Sequence, residues 1–118
     1  MHLARLAAIL GFIGVALGAF GAHALRGRVG ADLLEVWRTG VLHHLIHTLA
    51  LLAVVALGTR VARPGLVGGL FLAGIAVFSG SLYLLVLSGQ RFWGAVTPLG
   101  GLAFMAGWIA LGVGVRRA

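Results

Sequence analysis

Apolar positions along the chain fall into four long blocks, with few polar side chains inside any of them. The blocks cover about residues 3–25, 36–57, 65–87 and 94–115. A helix that crosses a bilayer needs about 20 apolar residues at a rise of 1.5 Å each, and all four blocks meet that length. The pattern therefore predicts four transmembrane helices.

Short polar segments separate these blocks. Residues 26–35 hold two arginines and both acidic residues, residues 58–64 hold two arginines and a proline, and residues 88–92 hold Gly89, Gln90 and Arg91. Connections this short place consecutive helices antiparallel. We expect an all-α fold in which residues 1–118 form one up-down transmembrane bundle, with no residues left over for a soluble domain.

Composition supports the membrane assignment. Apolar residues make up 61% of the 118-residue chain and charged residues only 9%, whereas about 25% of a soluble domain is charged. This excludes a soluble globular domain, and the high hydrophobicity excludes disorder. Because the chain has no cysteine, it has no disulfide framework, thiolate metal site or cysteine nucleophile.

The arginines predict an orientation. One side of the membrane would collect five of them (Arg5, Arg60, Arg63, Arg116 and Arg117) and the other side four (Arg26, Arg28, Arg38 and Arg91). The positive-inside rule then places both termini in the cytoplasm. The first block is longer than the core of a signal peptide, so we expect it to be retained as a helix.

The net charge of +7 does not indicate a nucleic-acid partner. The arginines are scattered at predicted helix ends and form no basic stripe. At those positions arginines anchor helices and meet anionic lipid head groups. Membrane lipids are therefore the expected partners of these charges.

Small residues recur on single helix faces. The stripes are Gly11, Gly14, Gly18 and Gly21 on the first helix, Gly65 and Gly69 on the third, and Gly100, Ala103 and Gly107 on the fourth. Such stripes let helices pack closely inside a membrane, where hydrophobic burial does not hold helices together. They fit a tight monomeric bundle, or an interface with another copy or another subunit.

The second helix carries His43, His44 and His47, and ionisable residues inside a membrane are functional candidates. Neutral histidine can bind a metal or haem, so His43 and His47, four residues apart, are candidate ligands. A zinc site would lack a fourth ligand from cysteine or an in-membrane carboxylate. The alternative is that each histidine bonds a backbone carbonyl, a threonine or a water. His23 could join them only if the first helix extended past Arg26.

The fourth helix has two further signals. Thr97-Pro98 fits a helix N-cap followed by proline, or else Pro98 kinks a longer helix. Trp108 lies too deep for an interfacial belt, so its indole N–H needs a partner inside the bundle. Trp37 and Trp93, by contrast, lie near the ends of predicted helices.

Several segments together resemble the domain of unknown function 423 family, also called the transmembrane protein 256 family. They are residues 18–25 (GAFGAHAL), residues 39–47 (TGVLHHLIH) with residues 50–52, residues 80–83 (GSLY), residues 97–101 (TPLGG), and Gly107-Trp108. The resemblance implies a small four-helix protein of the bacterial inner membrane. It supplies no activity, because the family is named for lacking one.

The resemblance also implies which polar residues recur in the family: His23, Thr39, His47, Tyr83, Thr97, Pro98 and Trp108. The family usually has Tyr-Gln where this chain has His43-His44, so the resemblance does not imply a metal site at His43 and His47 that the whole family shares. His23 and His47 then become better candidates for a shared role. The candidate polar site inside the membrane comprises His23, Thr39, His43, His44, His47, Tyr83, Thr97 and Trp108.

Three functions remain open. The first is a non-enzymatic homo-oligomer or an accessory subunit of a membrane complex, since neither the serines nor the two acidic residues form a catalytic constellation. The second is a metal-binding or haem-binding redox module that uses His43, His44 and His47. The third is a small transporter or channel, which would require an oligomer because four helices leave little room for a pore.

Overall fold

The computed structural model describes residues 2–117, and within them four long helices follow one another. They are α1 (His2–Leu25), α2 (Ala31–Leu57), α3 (Pro64–Ser88) and α4 (Phe92–Gly114). Each is long and apolar enough to cross a membrane. The predicted all-α bundle of four transmembrane helices is therefore confirmed.

Two helices begin earlier than the apolar blocks indicate. Helix α2 begins at Ala31 and includes Asp32 in its first turn, where a carboxylate interacts favourably with the helix dipole. Helix α4 begins at Phe92 and contains Pro98. The structure thus has the longer fourth helix with an internal proline, and Thr97 does not act as an N-cap.

Two helices contain a wider π-helical turn. Gly21–Leu25 forms the last turn of α1, and Ile75–Ser79 forms the middle of α3. Such π turns interrupt the ordinary hydrogen-bond ladder and often occur at functional sites. The turn in α3 contains Ser79, which is fully buried.

Helix α3 ends at Ser88 and Gly89 follows in a left-handed conformation with φ +72°. Its N–H donates to the Leu85 carbonyl at 2.8 Å. Only glycine adopts this conformation without a steric cost, so it commonly ends a helix. Gly89 therefore allows the chain to turn into α4 within a few residues.

The glycine stripes on α1 and α4 face the centre of the bundle. A Cβ atom at Gly14 would lie 2.5 Å from Leu45 Cδ2 of α2, and one at Gly107 would lie 2.7 Å from the Phe71 ring of α3. Gly11, Gly18 and Gly21 likewise face α2, Gly100 faces α3, and Ala103 is half-buried. Helices α2 and α3 therefore form the centre, with α1 and α4 against them.

The chain connects α4 back to the α2–α3 loop. The Ala62 N–H donates to the Gly114 carbonyl at 2.9 Å, and the Arg116 N–H donates to the Arg60 carbonyl at 2.7 Å. We call this pairing of residues 60–62 with residues 114–116 the C-terminal clamp. It holds Arg60 and Arg116 at the same end of the bundle.

Candidate functional site

His44 connects three helices from the centre of α2. Its Nε2 lies 2.8 Å from the Leu10 carbonyl of α1, and its Nδ1 lies 2.9 Å from the Tyr83 hydroxyl of α3. A carbonyl only accepts hydrogen bonds, so Nε2 carries a proton. A charged ring is costly inside a membrane, so in the neutral ring Nδ1 accepts from Tyr83. Gly40 leaves room for the Tyr83 ring, 3.0 Å from where its Cβ would lie.

His47 faces α4, where Trp108 Nε1 donates to its Nε2 at 3.0 Å. Its Nδ1 lies 2.8 Å from the His43 carbonyl and therefore donates to that oxygen. The ring stacks on Phe104 with 3.6 Å between ring centroids. Trp108 lies well inside its apolar block, and its indole N–H has the hydrogen-bond partner within the bundle that this position requires.

His43 is half-buried and bonds within its own helix. Its Nδ1 lies 3.0 Å from the Thr39 carbonyl, and its ring packs on Phe78 with 4.6 Å between centroids. The Thr39 hydroxyl donates to the Glu35 carbonyl at 3.0 Å. Neither Thr39 nor His43 makes a side-chain bond to another helix in the described part of the chain.

The ring nitrogens of His44 and His47 are already occupied by these bonds, which bears on the metal hypothesis. A metal ligand must offer a free lone pair, and binding at His47 would require displacing the indole of Trp108. In residues 2–117, no group of three or more His, Asp or Glu side chains is placed to hold a metal ion. The hydrogen bonds of His47 therefore count against a metal site that uses both His43 and His47 as ligands.

Hydroxyl groups connect α3 to both of its neighbours. Ser79 Oγ donates to the Gly40 carbonyl of α2 at 2.7 Å. Ser81 Oγ and Thr97 Oγ1 of α4 lie 2.6 Å apart. Thr97 is thus bound to Ser81, and not to the histidines.

The structure separates His23 from the other candidates. His23 is exposed in the π turn that ends α1, and the helix does not extend past Arg26 as a contact with His43 would require. The remaining candidates lie on α2, α3 and α4, where His43, His44, His47, Tyr83 and Trp108 form one group and Thr97 joins Ser81. Thr39 lies one turn from His43.

Sequence reasoning missed two contributors, Trp37 and Ser79. Trp37 is only 1% exposed, and its Nε1 donates to the Leu17 carbonyl of α1 at 2.8 Å. The sequence places Trp37 near the start of an apolar block, which indicated the membrane–water interface. Helix α2 begins earlier than this block, so Trp37 lies further inside the helix than the sequence suggested. Ser79 precedes Gly80 and Ser81 in an apolar block, and the signal that could have identified it is that a serine inside such a block needs a hydrogen-bond partner.

Comparison with known proteins identifies a family and several relatives. A family model described as "protein of unknown function (DUF423)" matches residues 17–101, which include both π turns, all of α2 and α3, and Thr97. Trp108 and residues 114–116 of the C-terminal clamp lie outside the matched range, whereas residues 60–62 lie inside it. No solved structure matches the chain.

The relatives are similar along nearly the whole chain. The Escherichia coli K12 protein called UPF0382 inner membrane protein YgdD is 49% identical over 113 residues, which is 94% of this chain and 86% of YgdD. The Bacillus subtilis protein called UPF0382 membrane protein YwdK is 46% identical over 109 residues, 90% of this chain and 89% of YwdK. The Staphylococcus saprophyticus membrane protein SSP2132 is 42% identical over 113 residues, 95% of this chain and 94% of that protein.

Proposed function

Because the chain belongs to the DUF423 family of proteins of unknown function, we propose a role that does not depend on catalysis. The protein acts as a small membrane subunit, either as a homo-oligomer or as an accessory subunit of a larger membrane complex. The polar residues inside its membrane region hold the four helices in register.

The observation that carries this proposal is that the buried polar side chains form hydrogen bonds within the bundle. No buried side-chain nitrogen or oxygen in the described residues lacks a hydrogen-bond partner. An acid–base catalyst or a metal carrier needs a group that can exchange its partner for a substrate or an ion. Here the side chains of His44, His47, Ser79 and Trp37 instead bond to neighbouring helices.

The outer helices support assembly with another chain. In the most apolar part of α1 only 11% of residues are buried, and in that of α4 only 17%. Phe12 on α1 is 77% exposed and Val113 on α4 is 84% exposed. These faces contact lipid in a single chain and are available to a neighbouring subunit in an assembly.

We further propose that the protein lies in the bacterial inner membrane with both termini in the cytoplasm. The name of the Escherichia coli relative supports the membrane assignment. The clamp supports the grouping of Arg60 with Arg116, on the side that the positive-inside rule assigns to the cytoplasm. No feature of the described residues favours a redox module or a transporter over this role.

The test is the mass of the protein after extraction in a gentle detergent, measured by native mass spectrometry. We expect a multiple of the 12.2 kDa chain, or a stoichiometric complex with another membrane protein. Phe12→Ala and Val113→Ala probe the two outer faces, and the variant that lowers the mass identifies the interface. A strictly monomeric chain with no co-purifying partner would contradict the proposal.

A further inference from the structure

A groove lies where the start of α1, the end of α2 and the start of α3 meet. It has a volume of about 710 Å³, within the range of about 300–1,000 Å³ that is typical of ligand sites. Its walls are mostly apolar, with Leu3, Leu6, Val54, Val55 and Leu72 among them. Leu6 and Val55 are exposed, so the groove is open to the surroundings of the bundle.

Gly65 and Gly69 form part of the groove and differ from the glycine stripes on α1 and α4. Both are exposed, and a Cβ atom at either position would meet nothing within 4 Å. By contrast, a Cβ at Gly68 would lie 3.1 Å from Leu3 Cδ2. Gly65 and Gly69 therefore keep the groove open and do not bring two helices together.

Positive charge collects at the mouth of this groove. Arg116 lines it, and the C-terminal clamp holds Arg60, which lies outside the lining, beside Arg116 through a bond from Arg60 Nε to the Arg116 carbonyl at 3.0 Å. Arg116 Nη2 in turn donates to the Thr59 carbonyl at 2.8 Å. A guanidinium has five N–H donors, so each arginine is oriented by one bond and keeps other donors for a ligand.

The acidic side chains lie at the other end of the bundle. Asp32 and Glu35 are in the first turns of α2, whereas the groove lies at the end of that helix. No acidic side chain therefore neutralises the arginines at the mouth. Within the described residues the mouth of this apolar groove is cationic, which matches a ligand with an anionic head and an apolar tail.

We propose that this groove binds an anionic glycerophospholipid. One acyl chain lies along α3 from Pro64 to Leu72, a length of about 12 Å at the rise of an α-helix. The phosphate group bonds to the guanidinium groups of Arg60 and Arg116, which suit phosphate because they can donate two parallel hydrogen bonds. Basic pockets between membrane helices bind anionic lipid heads in this way.

A second copy of the chain fits the groove less well than a lipid does. Copies inserted in the same orientation carry their arginines at the same level, so Arg60 and Arg116 would face like charges. A phospholipid, in contrast, presents its phosphate at the membrane surface and its tails beside Leu6 and Leu72. The groove lies within one chain, so the proposal holds for a monomer or an oligomer.

The test compares two lipids with the same acyl chains, phosphatidylglycerol and phosphatidylcholine, bound to the purified full-length protein. Retained lipid is counted by native mass spectrometry from mixed micelles. We expect phosphatidylglycerol to be retained about tenfold more strongly, a ratio that corresponds to about 1.4 kcal/mol. The double variant Arg60→Gln/Arg116→Gln should remove this preference.

Filling the groove provides an independent test. Gly69→Leu and Gly65→Leu should each lower retention of both lipids several-fold without changing any charge. Gly112→Leu is the matched control, because Gly112 is an exposed glycine of α4 with nothing within 4 Å of a Cβ and lies outside the groove lining. Circular dichroism and thermal unfolding establish that each variant folds.

Three results would overturn the proposal. One is equal retention of the two lipids by the unmodified protein. Another is unchanged retention in both folded groove variants, Gly65→Leu and Gly69→Leu. The third is a change of oligomeric mass in Gly69→Leu with lipid retention intact, which would show that a protein occupies the groove.

Discussion

The indole N–H of Trp108 donates to Nε2 of His47 over 3.0 Å, from the last helix of the bundle to the second. An indole N–H can only donate, so Nε2 of His47 carries no proton. The bond from Nδ1 to the His43 carbonyl places the proton on that nitrogen. One contact between helices therefore fixes the tautomer of a histidine inside the membrane.

We predict that His47 is a neutral ring protonated at Nδ1. Nitrogen-15 chemical shifts of labelled histidine separate this tautomer from the Nε2-protonated one. The His47 signal is assigned by its loss in His47→Gln. A spectrum in which His47 is protonated at Nε2 would be incompatible with the bond from Trp108.

Replacing Trp108 by phenylalanine should destabilise the bundle beyond the loss of packing. It leaves Nε2 of His47 without its donor, which costs about 1 kcal/mol or more of unfolding free energy. Trp93→Phe is the control, because Trp93 is half-buried and the structure records no bond from its indole. Equal stability of the two variants in denaturant unfolding would show that the Trp108 bond contributes nothing.

Gly100→Ala should destabilise the protein while Gly101→Ala should not. A Cβ at Gly100 would collide with the backbone N and Cα of Phe78, whereas the nearest atom to a Cβ at Gly101 is 3.8 Å away. Overpacking of this kind costs about 1–3 kcal/mol. Both changes raise helix propensity equally, so the difference between their unfolding midpoints isolates the contact between α3 and α4.

The hydroxyl pair of Ser81 and Thr97 should show energetic coupling. Their oxygens lie 2.6 Å apart across α3 and α4, and hydrogen bonds between membrane helices contribute about 0.6 kcal/mol on average. A double-mutant cycle with Ser81→Ala and Thr97→Val measures this term. Strictly additive effects of the two substitutions would refute the coupling.

Single cysteines should reveal the proposed orientation, since the chain has none of its own. Thr59→Cys lies at the end of the bundle that holds the clamp, and Gln90→Cys follows α3 at the other end. A membrane-impermeant maleimide added to spheroplasts should label only Gln90→Cys. Labelling of Thr59→Cys alone would mean that the termini face outward.

The sequence predicted the helices because their length and apolar composition reflect the thickness of the bilayer. The same reasoning placed the start of α2 too late, since Asp32 and Glu35 interrupt the apolar pattern while remaining helical. Pro98 likewise lies inside α4. Polar side chains indicate the boundary of the membrane, and a helix can continue beyond that boundary.

The partners of the histidines could not be predicted from spacing. Residues three apart on a helix point about 60° apart, so His44 turns towards Leu10 and Tyr83 while His47 turns towards Trp108. Which neighbour each one meets depends on how α2 is rotated in the bundle. That rotation follows from close packing at positions such as Gly14, and one sequence alone does not specify it.

The position of Trp108 and the clamp has a consequence for biosynthesis. His47 enters the membrane with the second helix, but the donor for its Nε2 arrives only with the last helix. The backbone partners of Arg60 and Ala62 are Arg116 and Gly114, which are synthesised later still. The hydrogen bonds of His47, Arg60 and Ala62 are therefore completed only after α4 and the residues that follow it have been synthesised.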